Sequence, residues 1–435
     1  MRYHNGWLAL ALVLLLAGGM LGGGAAAAQT QPTPLRPTFG PITLDGTPLP
    51  TPAPELTPTP TETPALPTLR RELMGIQAYA YLEIPNWWMM VDRAQFMGLG
   101  WIKTQVNWAE MEPEPGVFAA PFTVLRDNLI YAGQRGFQIM ISVVNAPDWA
   151  RPPEARGNQD GPPADPQQLA NFIGTLLDQW GTGYINAIEI WNEPNLLREW
   201  TGRPMTGSEY RRYFEPAYAA IRARSSEIVV ITAGPAPAGD TPGGSVNDRT
   251  WLRQLYASGL PTSDPNFAIG IHPYGWANPP DARCCASPSQ GWDDQRFFFF
   301  LDNIADYRQI MIENGHENGR LWATEFGWAT FQGLRYRDHV SGPPAIPPAD
   351  PGLGWMNLLT EAQQAEYILR AFELAQTGEL STFMGPMILW NLNFASLEGF
   401  VNENAPSLSD AGFSVLNSDW APRPIYDLLQ NSPRH

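Results

Sequence analysis

Lysine is almost missing from this chain. Lys103 is the single one, and the 27 basic residues face 43 acidic ones, a net charge of −16 over 435 residues. A chain with no positive surplus has nothing with which to neutralise phosphates, which excludes a nucleic-acid partner and disfavours anionic lipid surfaces. Cysteine is nearly absent too: Cys284 and Cys285 stand side by side, which rules out a disulfide-dense scaffold and a Cys-rich zinc site. The five histidines show no HExxH spacing, so no catalytic metal is expected. After the first residues there is no long apolar run, so no further membrane span is expected. What the chain holds in quantity is proline (44), glycine (40) and aromatic rings (17 Trp, 14 Tyr, 19 Phe). Many loops and many rings in an acidic chain suit a protein that stacks on neutral sugars, although core packing also consumes rings.

The N-terminus sets the expected compartment. Residues 1–28 read as an export signal: Arg2, an apolar run from Trp7 to Ala17, and small residues Ala25–Ala28 before Gln29. An uncleaved anchor is the competing reading, and with it an N-terminal tether to a membrane. Residues 29–68 hold 12 prolines and 11 threonines, a linker of extended conformation that cannot build a core. The expected location is therefore secreted or on the outer face of the envelope. Residues 69–435 carry the folded domain, for which a monomer is expected.

In that domain apolar β-branched runs alternate with amphipathic stretches. Strands are predicted at Gly75–Tyr81, Trp101–Trp108, Phe137–Val144, Ile185–Trp191, Ile228–Ala233, Phe267–His272, Leu321–Glu325 and Met384–Trp390. Each is followed by a helix, the one after strand six expected over Asp293–Asn314 and the last over Ala421–Gln430. Eight βα units predict an α/β fold, a (β/α)₈ barrel with a parallel sheet inside. An open doubly wound sheet is the alternative, weakened by the lack of a Gly-rich loop after the first strand.

Barrel chemistry is built at the C-terminal ends of the strands. Strand four leaves as Ile188-Glu-Ile-Trp-Asn-Glu-Pro-Asn195, and strict alternation puts Glu189, Trp191 and Glu193 on one face. Strand seven leaves as Leu321-Trp-Ala-Thr-Glu-Phe-Gly-Trp328. Strands four and seven oppose each other across the mouth, so Glu193 and Glu325 can flank one bond, the arrangement that glycoside hydrolysis requires. Either glutamate alone could equally be a solvated strand-end cap.

Glu189-Ile-Trp-Asn-Glu-Pro-Asn195 resembles the strand-four signature of the retaining (β/α)₈ glycoside hydrolases of clan A, with families 5, 39 and 42 closest. Ala323-Thr-Glu-Phe-Gly-Trp328 is similar to their strand-seven segment, and Trp108-Ala-Glu-Met-Glu-Pro-Glu-Pro-Gly-Val-Phe118 to the one after strand two. His272-Pro-Tyr274 and Trp390 match the strand-six and strand-eight positions. The resemblance implies Glu193 as acid/base, Glu325 as nucleophile, Asn192 on a sugar 2-hydroxyl, Tyr274 beside the nucleophile, His272 lining the cleft and Trp390 as its floor. Trp328 joins the implied substrate-binding set. The family's strand-two arginine is replaced here by Lys103, which keeps the charge and loses the bidentate fork. The implied reaction is double displacement on a β-linked poly- or oligosaccharide, with Glu193 protonated, Glu325 ionised and no cofactor. A barrel that binds glycan without cutting it stays open as the other reading. Cys284 and Cys285 could form a vicinal disulfide, stay as thiols or bond another chain. Residues 331–355 could be a lid or an insertion.

Overall fold

The computed structural model describes residues 65–157, 160–285, 289–397 and 399–435. The expected export signal and the linker up to residue 64 lie outside the described residues. Eight strands follow in order: β1 Met74–Gln77, β2 Trp101–Asn107, β3 Gln138–Val144, β4 Ala187–Ile190, β5 Val229–Thr232, β6 Phe267–Ile271, β7 Arg320–Phe326 and β8 Met384–Leu389. Each pairs in parallel with the next, and β8 closes on β1. The longer helices are α1 Asn86–Phe96, α2 Ala120–Gln134, α3 Pro166–Trp180, α4 Gly207–Arg222, α5 Asp248–Ala257, α6 Phe300–Glu313, α7 Glu361–Gln376 and α8 Pro424–Asn431. The barrel expected from the βα alternation is thus the fold.

Local chemistry sets the helix ends. In α3, Asp165 accepts from the Gln167 N–H and Pro166 opens the first turn; Gly181, at φ 83°, ends it. Its buried residues Leu169, Phe172, Ile173, Leu176 and Trp180 recur at helical spacing and face the barrel. Thr360 and Gln363 form a capping box at the start of α7. The helix after β6 starts only at Phe300, not Asp293. Residues before it are held as a loop, with the Asn278 amide donating to the carbonyls of Trp292 and Phe298.

The barrel interior is layered, because side chains alternate with period two. Near the bottom lie Trp101, Met140, Ala187, Ile231, Ala268, Trp322 and Ile388. Trp101 and Trp322 meet edge to face at 5.1 Å. Two residues further along their strands stand Lys103, Ser142, Glu189 and Thr324, all fully or almost fully buried. A polar layer therefore sits on an apolar plug.

β7 carries an irregularity that matters for the site. Ala323 pairs with Met387 and Phe326 with Leu389, three residues on β7 against two on β8. Such a bulge re-aims side chains. Ala323 and Phe326 both belong to the outer core, Phe326 against Phe300 of α6 and Phe372 of α7. Between them Thr324 and Glu325 both turn inward.

Residues 331–355 pack as part of the wall. Phe331, Leu334, Leu353 and Trp355 join Tyr274, Trp390 and Phe413 in a second apolar cluster over the barrel mouth. Arg423, 1 % exposed, ties this region together. It donates to Glu361 and to the carbonyls of Gly412, Ser414, Thr330 and Gln332. Arg423→Met strands these acceptors, and a loss of about 3 kcal/mol is expected. The urea midpoint measures it; an unchanged midpoint would show that water replaces the guanidinium at no cost.

Candidate active site

β4 ends at Ile190, and the chain then turns through φ 75° at Trp191 and φ 42° at Glu193. Left-handed backbone at two non-glycine residues costs energy that the surroundings must supply. The turn also corrects the expected shared face. Trp191 swings out into the layer under α4, 5.3 Å from Trp200, with its indole N–H on the Glu199 carbonyl. Glu189 and Glu193 alone point to the mouth, and both face His272.

Five ionisable side chains, none of them exposed, form the centre: Lys103, Glu189, Glu193, His272 and Glu325. Lys103 Nζ lies 2.9 Å from Glu189 Oε2 and 3.3 Å from Glu325 Oε1, and donates to the Thr324 carbonyl at 3.0 Å. Three acceptors match the three N–H bonds of an ammonium. Burial works against its charge, but Glu189 and Glu325 outweigh it and lift its pKa. Glu189 also accepts from Ser142 Oγ and the Gly234 N–H. Burial would push its carboxyl up; Lys103 overrides that and holds it far below the usual range.

Glu193 and Glu325 oppose each other as the strand order predicted. One carboxylate oxygen of each, and one ring nitrogen of His272, lie within 4.8 Å of one another. His272 Nδ1 is 3.1 Å from Glu193 Oε1 and 3.7 Å from Glu325 Oε2. Tyr274 Oη donates to Glu325 Oε2 at 3.0 Å. Burial disfavours a charged His272, yet Glu325, Glu189 and Glu193 around it raise its pKa to about 9.

The charge order of the two glutamates differs from the one expected. Burial lifts Glu325 above the usual carboxylate range, with Glu193 and Glu189 adding to it against His272 and Lys103. Glu193 is equally buried, but His272 and Arg198 together hold it below that range. Arg198 Nη2 sits 2.7 Å from Glu193 Oε2. The surroundings of the ligand-free site therefore favour the charged form more at Glu193 than at Glu325.

Beside the pair runs a groove lined by Gln77, Tyr81, Asn107, Asp160, Asn192, Glu199 and Trp390, among others. Asn192 Oδ1 is buried without a hydrogen-bond partner, and so is Gln77 Oε1. The Trp390 ring is 3 % exposed and packs 4.9 Å from Phe394. Trp328 is the sequence-derived site residue that the structure removes from the cleft. It is fully buried, its N–H on the Asn278 carbonyl and its ring against Phe300 and Tyr367, which leaves no face for a sugar. Cys284 and Cys285 are bonded to each other, with the Cys284 N–H on Asp302.

Gly234 makes the centre possible. A Cβ there would lie 2.5 Å from the His272 ring and 2.6 Å from Thr324 Oγ1. Gly234→Ala is expected to displace His272 from both glutamates and to lower turnover roughly 100-fold, the scale of a 1 Å misplacement. Unfolding and steady-state assays separate this from collapse: a folded variant with full activity would show that His272 is not needed in place.

A family model for cellulase (glycosyl hydrolase family 5) matches residues 67–344, well over half of the chain and both glutamates. The chain belongs to glycosyl hydrolase family 5. That is a family of O-glycosyl hydrolases, in line with the clan resemblance read from the motifs. None of the curated proteins matches this family 5 chain in sequence. Among solved structures it is similar to a family 39 glycoside hydrolase from Bacteroides cellulosilyticus WH2, with TM-score 0.57, 18 % identity and 83 % of this chain covered. The match spans 63 % of that protein's length. It also resembles the "GH53 catalytic domain" of Ignisphaera aggregans, with TM-score 0.55, 13 % identity and 84 % and 98 % of the two chains covered. A β-glycosidase matches with TM-score 0.54, 15 % identity and 83 % and 96 % covered. At these identities the likeness concerns the fold.

Proposed function

We propose that this family 5 chain hydrolyses β-linked poly- or oligosaccharide with retention of configuration. Glu325 is the nucleophile and Glu193 the acid/base. The observation that carries the reading is the short span, at most 4.8 Å, between carboxylate oxygens at the exits of β4 and β7. Retaining enzymes hold their carboxyl groups about 5–5.5 Å apart, and inverting ones need roughly 6.5–9.5 Å to admit a water. Tyr274 orients Glu325, and Lys103 supplies the positive charge that stabilises it when ionised. Asn192, with an open acceptor, receives the 2-hydroxyl of the sugar over Trp390. The protein acts outside the cytoplasm, secreted or held at the envelope, on the strength of its first 28 residues.

The test is incubation of the full chain with β-linked glucans, mannans, xylans and aryl glycosides, following new reducing ends and the anomer first released. A β product supports the reading; an α product would overturn the double displacement. A barrel that holds glycan without cutting it is the second reading. One feature favours it: Arg198 sits on the acid/base.

A further inference from the structure

Around the groove, Asn192 Oδ1, Gln77 Oε1 and the Trp390 indole N–H have no hydrogen-bond partner, although their residues are only 1 %, 1 % and 3 % exposed. All three residues line the one groove beside the glutamate pair. They stand at different strand exits, of β4, β1 and β8. Asn192 already has the 2-hydroxyl of the sugar as its task. Gln77 and Trp390 Nε1 have none.

The fold gives no reason for an amide at position 77. Gly75 points into the apolar plug, where a Cβ would lie 2.5 Å from Ile388 and 2.6 Å from Trp101. Period two then sets Gln77 one level higher, facing the mouth. Its register partner is Lys103. At this level Glu189 bonds both Lys103 and Ser142, and Gln77 joins none of them. The Gln77 backbone is satisfied, its carbonyl accepting from the Leu392 N–H at 2.8 Å. Only the side chain is left over. A buried carbonyl without a partner loses its water and gains nothing in return, so a methionine of the same length would suit the barrel better.

Trp390 is the neighbour of Gln77. Ile76 pairs with Leu389, so Gln77 and Trp390 are the next residues on adjoining strands. One holds an open acceptor and the other an open donor, yet they do not bond each other. What both lack is a group that donates and accepts at once, and a hydroxyl is such a group.

We propose that Gln77 is a substrate-binding residue which, with the Trp390 indole N–H, holds a hydroxyl of the sugar seated over Trp390. The proposal rests on the carbohydrate reading above and adds a contact to it. The hydroxyl hydrogen goes to Gln77 Oε1, and the hydroxyl oxygen takes the indole hydrogen. β2 and β3 stand between the strands that carry Gln77 and Asn192. The two acceptors therefore grip the ring at separate hydroxyls, and Gln77 reads one other than the 2-hydroxyl. A grip at two places fixes the rotation of the ring over its floor, which sets the anomeric carbon against Glu325. A sugar without that hydroxyl leaves both atoms unpaired again, so the site discriminates against it.

Titration calorimetry on the full chain, carrying Glu325→Gln to prevent cleavage, is the first test. Cellotriose, mannotriose and xylotriose are the probes, and the tightest binder is carried forward. Adding Gln77→Met should weaken it by roughly three- to tenfold, the scale of one hydrogen bond. The urea midpoint of Gln77→Met alone should be no lower than that of wild type. A fallen midpoint would make Gln77 a structural amide, and an unchanged affinity would leave its acceptor to water. Either result overturns the proposal.

The second test watches the donor. The Trp390 indole ¹H–¹⁵N signal, assigned with Trp390→Phe, should move when the trisaccharide is added, and the movement should shrink in Gln77→Met. Equal movement with and without Gln77 overturns the shared hydroxyl. Binding without cleavage by the native chain sinks the hydrolase reading and leaves Gln77 to these same two tests. A chain that binds none of the three trisaccharides sinks the carbohydrate reading and the proposal together.

Discussion

Glu325→Ala is expected to lower turnover of any β-glycoside by at least roughly 10³-fold, because the proposed double displacement then lacks the group that bonds the anomeric carbon. Glu193→Ala should cost roughly 10²–10⁴-fold on substrates with poor leaving groups and far less on dinitrophenyl glycosides in their first step. Added azide separates the two roles. In Glu325→Ala the anion enters the space of the missing carboxylate and yields the α-glycosyl azide. In Glu193→Ala it attacks the glycosyl-enzyme from the opposite side and yields the β-glycosyl azide. Product analysis by NMR reads the anomer. The same anomer from both variants would mean that Glu193 and Glu325 do not stand on opposite faces of the sugar.

Lys103→Met should be the most damaging single change to stability. It leaves Glu189 and Glu325, both 0 % exposed, without the ammonium they share. Removing one partner of a buried ion pair costs about 3–5 kcal/mol. The pH dependence has a definite sign. Lys103 is the main group holding the Glu189 carboxyl below its usual range. That stabilisation is present above the ordinary carboxylate range and is lost as pH falls through the depressed folded value. The gap between wild type and Lys103→Met should therefore be widest near neutral pH and narrow in acid, where the stranded carboxyls take protons. Urea unfolding at several pH values measures it. A gap that stays constant into acid would mean that packing, not charge, is what Lys103 supplies. Lys103→Arg keeps the charge but must fit a fork into a box sized for three short contacts. A smaller loss is expected there.

Much of this barrel could be read before its structure. Apolar β-branched runs such as Gln138–Val144 and Trp101–Asn107 survive as strands because both faces are buried, so tertiary context agrees with the pattern. The glutamates were legible because a carboxylate directly after such a run is an anomaly. Glu189 was seen on the right face, yet its bond to Lys103 was not, since β2 and β4 meet only in the closed barrel. Trp328 was misplaced for a different reason. An aromatic ring two residues past a strand points to cleft or core with no sign in the sequence to separate them, and here a carbonyl of Asn278 draws its N–H inward. Trp191 was put on the wrong face because left-handed backbone breaks the alternation on which the reading depended. Arg198, Glu199 and Asp160 left no trace at all. They lie in loops, where no periodicity links one charge to another.

The extra residue in β7 decides what the mouth receives from that strand. Strict alternation after Trp322 would send Glu325 toward α6 and α7, among phenylalanines. The bulge instead turns two successive residues inward, so that the Thr324 carbonyl and the Glu325 carboxylate share the one ammonium of Lys103.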